Sequence, residues 1–348
     1  MTFSRGKYII LLDNKTPENS FKSAFKGAKI SVFAKNTPLT CILDNKRGDN
    51  VTGIIIIDKP EGITSFGVIS RLRKILNEKK IGHSGTLDPM ATGVMTVLVG
   101  GSATRFCELL PSHDKAYEAT LLLGTVTDTL DITGNVIDKK EVTATNEDFR
   151  KAAEKFKGEI TQVPPMYSAV SVNGRRLYDL ARQGIEVERP ERKVIIYSLD
   201  ILEENEDKHE YKIHVECSSG TYIRTLIADI GEALGCGAVL TSLRRTKANG
   251  FTEKDALTLE ELKALAGENR ITDKIIPIDK ALEEYKKITV TDAQSKRFSN
   301  GGELALERVH GCEQLGIYRV YSPAGKFLGL GENDGSESLQ VKRVYTGE

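Results

Sequence analysis

The stretch GHSGTLDPMATG, residues 82–93, gathers several groups that can do chemistry. It holds one carboxylate (Asp88), one imidazole (His83), three hydroxyls and three glycines, with only Leu87, Met90 and Ala91 apolar. Glycine lets a backbone approach a ligand closely. An Asp held just before Pro89 is either a turn device, since both residues favour turns, or a reacting group. Familiar motifs do not account for the stretch. It has no G-x-x-x-x-G-K-[ST] phosphate loop, and its glycine spacing misses the dinucleotide fingerprint. The chain has no G-x-S-x-G nucleophile elbow. Cys41, Cys107, Cys217, Cys236 and Cys312 are scattered and never spaced C-x-x-C, and the five histidines are isolated. That points away from a disulfide framework or a zinc site, so no metal is expected, and it fits the reducing cytoplasm.

Such a loop needs a frame. The run GIIIID ends at Lys59-Pro60 and reads as a buried strand. Thr64 or Ser65 can cap a helix to about Asn77, with Val68, Ile69, Leu72, Ile75 and Leu76 on one face. Strands are expected at 94–99 and 117–123. An acidic, threonine-rich loop, GTVTDTLDITGNV, follows, then a helix carrying Phe149, Ala153 and Phe156 that ends at Gly158. Residues 162–184 read as an irregular segment, a hairpin at Asn173-Gly174 and a short helix stopped by Gly184. Strands return at 193–202 and 211–217. An amphipathic helix then carries Ile223, Leu226, Ile227 and Ile230 on one face. Thr258 to Glu261 forms a capping box. After about residue 286, short strands separated by turns predict a small barrel of its own. The fold class is therefore α+β, without regular βαβ alternation.

Composition bounds the function. The chain has 348 residues, 39% hydrophobic and 28% charged, and a formal net charge of zero. That suits two domains, and no apolar stretch approaches the length of a membrane span. Residues 1–50 carry nine Lys or Arg against four Asp or Glu and show no sustained period. Residues 1–52 are expected to be a poorly ordered extension or a misassigned start, with Val51 as an alternative initiator. The absence of a globally basic surface means that any nucleic-acid binding must use local clusters. Arg71, Lys74, Lys79, Lys80, Arg175, Arg176, Arg244 and Arg245 are the candidates.

Five motifs in order, GIIIIDKPEGITS, GHSGTLDPMATGV, KAYEATLLLGTVTDTLDITG, QVPPMYSAVSVNGRRLYDLARQG and CSSGTYIRTLIADIGEALG, resemble the TruB family of bacterial tRNA pseudouridine-55 synthases over about residues 53 to 345. Ser84 stands where bacterial members more often have Thr. The resemblance implies a catalytic domain, 53–285, built on a mixed, mainly antiparallel sheet with flanking helices and a thumb-like insertion at about 162–184. It implies a PUA-like RNA-binding domain at 286–348. It also implies isomerisation of a uridine in the T-loop of tRNA by base flipping, with no cofactor, in a monomer that needs no protein partner and no membrane.

By the same resemblance Asp88 is the catalytic aspartate, Tyr117 stacks on the flipped base, and Arg224 pairs with the aspartate. His83 fills the space the base vacates. Tyr222 and Leu243 line the base pocket, Asp131 contacts the flipped nucleotide, and Lys59, Arg175 and Arg176 bind RNA. Three other readings stay open. One is a guide-RNA-dependent synthase sharing the Asp motif, which the 162–184 insertion disfavours. Another is a hydrolase pairing Asp88 with Asp128 or Asp131. The third is an RNA-binding tRNA-folding chaperone.

Overall fold

The computed structural model describes residues 2–4, 7–9, 51–172 and 174–347. Within the extension, Thr2–Ser4 pairs antiparallel with Lys7–Ile9. What was expected of the rest of residues 1–50 lies outside the described residues.

A nine-stranded sheet carries the site. Its main path runs Gly53–Lys59, Thr92–Val99, Ala238–Ala248, Lys115–Leu123, Glu210–Cys217, Arg192–Asn205 and Gly158–Gln162. Ile81–Ser84 pairs with Thr92–Val99, and Phe251–Thr252 with Ala238–Ala248. All pairings are antiparallel except a short parallel seam where Arg244 and Arg245 meet Thr92 and Gly93. The expected mixed, mainly antiparallel sheet is what forms.

The GIIIID run is apolar throughout because both faces of its strand are covered. Ile55 and Ile57 pack with Val68, Ile69 and Leu72 of the helix Ser65–Leu76 and with Leu259 and Leu262. Ile54 and Ile56 face the other way, into a cluster with Leu98 and Phe106. Each strand residue thus loses its water on one side or the other, which stabilises the sheet by about 1.5–3 kcal/mol per fully buried side chain. Thr64 caps the helix by accepting from Gly67 N at 2.9 Å, and Asn77 ends it in the left-handed region. On the far half of the sheet, Asn146–Glu154 and Ile223–Ala233 cover a second core, where Phe149 stacks on Tyr211 at 3.9 Å.

Two elements differ from expectation. His83 is not in a loop: Ile81–Ser84 is a strand paired with Thr92–Val99, His83 opposite Val97. The second is Ala238–Ala248, the strand that joins the sheet's two halves, which the pattern did not reveal. Its pairing with Lys115–Leu123 shifts register between Leu240 and Ser242 and again between Arg245 and Lys247. Two bulges break the alternation by which a strand is read. In the thumb-like segment, Ser171–Val172 pairs with Arg175–Arg176 and Leu177–Ala181 is helical; Asn173 of the expected turn lies outside the described residues.

The C-terminal segment forms a curled five-stranded sheet ordered Lys286–Thr289, Gly316–Tyr321, Phe327–Asn333, Ser338–Val344, Leu304–Ala305. This agrees with the PUA-like unit. Its Tyr321, Phe327 and Leu330 share one apolar cluster with Ile54, Ile56, Leu98 and Phe106 of the large sheet. Arg319 ties the junction by donating to the carbonyls of Tyr285 and Asp279, each at 2.9 Å, and of Glu283 at 3.2 Å.

Candidate active site

The Asp88 loop, 85–91, is held from below by three groups. Ser65, almost fully buried, accepts from Leu87 N at 2.8 Å and donates to Leu87 O at 3.0 Å. Lys59 Nζ donates to the carbonyls of Ala91 at 2.5 Å, Pro60 at 3.0 Å and Pro89 at 3.2 Å. Gly62 N donates to Pro89 O at 2.8 Å. Buried backbone groups without partners are costly, so these contacts confine the loop to one shape. Gly93 closes its end at the parallel seam. With φ +100, a Cβ there would stand 2.2 Å from Arg245 O, so only glycine lets the two strands meet.

So confined, the loop turns Asp88 into a cavity of about 350 Å³ lined by Gly85, Thr86, Leu87, Lys115, Tyr117, the 168–170 segment, residues 220–224 and Leu243. The Asp88 side chain remains 34% exposed there, open to a ligand. Arg224, at the start of Ile223–Ala233, is 5% exposed and uses all sides of its guanidinium. Nε meets Asp88 Oδ2 at 3.0 Å, Nη1 donates to Thr129 O at 3.0 Å, and Nη2 donates to Tyr167 O at 2.9 Å. Asp131 Oδ2 lies 3.6 Å from Nη1. One cation therefore joins the Asp88 loop, the acidic-threonine loop and the thumb-like segment.

Burial pushes the Asp88 carboxyl above the usual carboxylate range; the Arg224 guanidinium opposes it, Asp131 adds to it, and Lys59 opposes it again. Such a group is basic enough to accept a proton and, ion-paired, still nucleophilic toward a sugar carbon. Tyr117 lies in the cavity wall with its hydroxyl raised, first by burial, while the Arg245 guanidinium beside it works the other way. Gln162 holds Tyr222 by accepting from its N at 3.0 Å and donating to its O at 3.2 Å, and Arg192 sits 5.6 Å over the ring.

The structure thus brings Asp88, Tyr117, Arg224, Tyr222 and Leu243 together around one cavity. His83 is not in its lining; it is half-buried on the neighbouring strand, its pKa lowered first by burial. Arg175 and Arg176 are exposed on the thumb-like hairpin.

Four expectations are corrected. Lys59 is fully buried beneath the Asp88 loop and cannot touch RNA; its ammonium is drawn inward by three carbonyls. Asp131 is also buried, and its Oδ1 accepts from Thr129 Oγ1 at 2.9 Å, Thr133 N at 3.0 Å and Thr133 Oγ1 at 2.5 Å, so it steadies Arg224 rather than meeting a nucleotide. Arg245 is fully buried, and Arg244 is ion-paired to Asp58 and Glu253, so neither is a free surface charge. Finally, Asp128 is an exposed turn residue holding Asn135 and Asp131 is buried against Arg224; neither lines the cavity with Asp88, as a hydrolase pair would. Ser65 and Gln162 went unnoticed in the sequence; only the adjacency of Ser65 to the helix start marked it.

A cavity on the sheet whose lining holds an Arg-paired aspartate beside a tyrosine fits a pseudouridine-synthase type of site. The comparisons agree. Residues 73–223 match the TruB family pseudouridylate synthase N-terminal domain, 224–283 the tRNA pseudouridylate synthase B C-terminal domain, and 287–345 the pseudouridine synthase II TruB C-terminal model. The chain belongs to the TruB family of pseudouridylate synthases. It is 43% identical to tRNA pseudouridine synthase B of Clostridium acetobutylicum over 84% of this chain and 99% of that protein. With the protein of the same name from Alkaliphilus oremlandii it shares 46% over 84% of this chain and 98% of that one. Among solved structures it resembles a chain of a Cbf5-Nop10-Gar1 complex, with TM-score 0.65, 28% identity and 85% of each chain covered.

Proposed function

We propose that the chain isomerises uridine 55 in the T-loop of tRNA to pseudouridine. The observation that carries this reading is Asp88 held by Arg224 at 3.0 Å in a cavity walled by Tyr117. The relatives named tRNA pseudouridine synthase B, matched over nearly their whole length, supply the substrate. In the reaction the N1–C1′ bond breaks, the base turns, and a C5–C1′ bond forms; C5 loses its proton and N1 gains one. The atoms balance without oxidant, reductant or metal.

The target base lies in a folded loop and must be extruded, at a cost of a few kcal/mol. Tyr117 and Leu243 receive the base, Asp88 faces the sugar, and His83, on the strand beside the cavity, fills the stack the base leaves. Arg175 and Arg176 meet the RNA backbone from the thumb. The enzyme acts as a monomer in the cytoplasm, without guide RNA, cofactor or protein partner. No helix among the described residues is long and apolar enough to cross a membrane. The competing reading is a guided synthase, favoured by the likeness to the Cbf5 chain. The test incubates purified protein and EDTA with unmodified tRNA or a T-arm stem-loop and maps pseudouridine by carbodiimide and primer extension. Product on both supports the stand-alone reading. No product until a guide ribonucleoprotein is added overturns it.

A further inference from the structure

Two cations at the cavity have no carboxylate to answer them. Asp88 and Asp131 both belong to Arg224. Lys115 lines the cavity and is half-buried, and its Nζ donates to one group, the His113 carbonyl at 2.8 Å. An ammonium has three donors, so two remain. Behind it, Arg245 is fully buried: Nε donates to Val94 O at 2.7 Å, Nη2 to Gly85 O at 3.2 Å, and Nη1 has no partner. Gly85 separates the two. A Cβ there would stand 3.2 Å from Lys115 Cε and 3.3 Å from Arg245 Nη1. Among the described residues, neither cation has an ion pair.

Burial first, and Arg245 second, push the Lys115 ammonium below its usual pKa; Cys217 and then Asp114 act the other way. Like charges so placed are costly unless something negative joins them. The cavity is where that charge would enter. Lys115 and Tyr117 are two apart on one strand, so they share a face, about 7 Å apart along it. That is the span of a ribose between a stacked base and its phosphate.

We propose that Lys115, backed by the field of Arg245, binds one of the two phosphates flanking the flipped uridine. This rests on the reading of the cavity as the uridine site. Lys115→Gln should weaken stem-loop binding about tenfold and make the dependence of log K on log salt shallower by about one phosphate's worth; Lys115→Arg should restore binding.

The deciding experiment uses T-arm stem-loops with a neutral methylphosphonate in place of the phosphate 5′ or 3′ of the target uridine. At one of the two linkages, neutralisation should weaken the wild type about tenfold and weaken Lys115→Gln no further. Additive losses at both linkages, or a Lys115→Gln variant that binds normally and only reacts slowly, would overturn the assignment. Wild-type conversion of the unmodified stem-loop is measured alongside. If it fails, the functional reading fails; if it succeeds and the losses are additive, only the phosphate assignment does.

Discussion

Arg224 and Arg245 are both buried arginines beside the same cavity, yet their surroundings are opposite. Arg224 is held between two carboxylates and two carbonyls. Arg245 has two carbonyls, an unpartnered nitrogen and another cation for a neighbour. A guanidinium neutralised by the protein can orient and steady a reacting carboxylate before substrate arrives. One left uncompensated keeps that part of the wall positive for a polyanion to complete. On the proposed reading, chemistry and grip are divided between two arginines.

The sharpest way to break that division is Asp88→Asn. It keeps the shape of the Arg224 side and removes its reacting charge. Conversion should fall by at least about 10³-fold while stem-loop affinity stays within about twofold, measured by single-turnover mapping and filter binding, because catalysis and ground-state binding draw on different contacts. Retained turnover would show that the Arg224 side is not the chemical one. Next comes Arg224→Ala. Loss of one preorganised electrostatic partner should slow the reaction about 10²–10³-fold. Since it also strands Asp88, Asp131 and two carbonyls, thermal melts should show a loss of about 3–5 kcal/mol, which Arg224→Lys should partly recover.

A smaller effect is expected from Ser65→Ala, which leaves Leu87 N and O both unsatisfied beneath Asp88. Stability should drop about 1–3 kcal/mol in denaturant titrations, with about a tenfold slower rate and unchanged affinity. The smallest concerns Asp229, on the helix that carries Arg224, whose carboxyl is pushed up to about 6, first by burial and then by Glu232. Its folded pKa lies above its unfolded one, so its contribution is favourable in acid and is lost as pH rises from about 4 through about 6. Asp229→Asn should therefore stabilise the protein by about 1 kcal/mol at pH 7.5, the value reduced because the group is partly solvated, and by nothing near pH 3. An equal gain at both pH values would show that ionisation of Asp229 is not the cause.

What could be read from the sequence and what could not divide along physical lines. The helix Ser65–Leu76, its cap at Thr64 or Ser65 and its Asn77 end were legible because caps and periodicity are local; the structure chooses Thr64. Asp88 and Arg224 were singled out by motif, and the structure places them 3.0 Å apart although 136 residues separate them. The inward turn of Lys59 was not legible: nothing local says that the carbonyls of the distant Pro89 and Ala91 will join that of Pro60 around one ammonium. Nor was the strand Ala238–Ala248, where bulges hide the alternation and Arg244-Arg245 reads as surface charge. Charged residues are almost never fully buried, so a buried Arg245 is the kind of exception that only packing reveals.

The apolar cluster that Tyr321, Phe327 and Leu330 share with Ile54, Ile56, Leu98 and Phe106 bears on how the molecule comes apart. Two regions that share a core cannot melt separately without each exposing its half to water. Heating should give one calorimetric transition, with calorimetric and van't Hoff enthalpies equal, instead of the two peaks expected of independent domains. Cutting the chain near residue 285 would leave the large sheet with an open apolar face, and the fragment should aggregate rather than report on RNA binding. The sequence suggests two domains; the shared core predicts one cooperative unit.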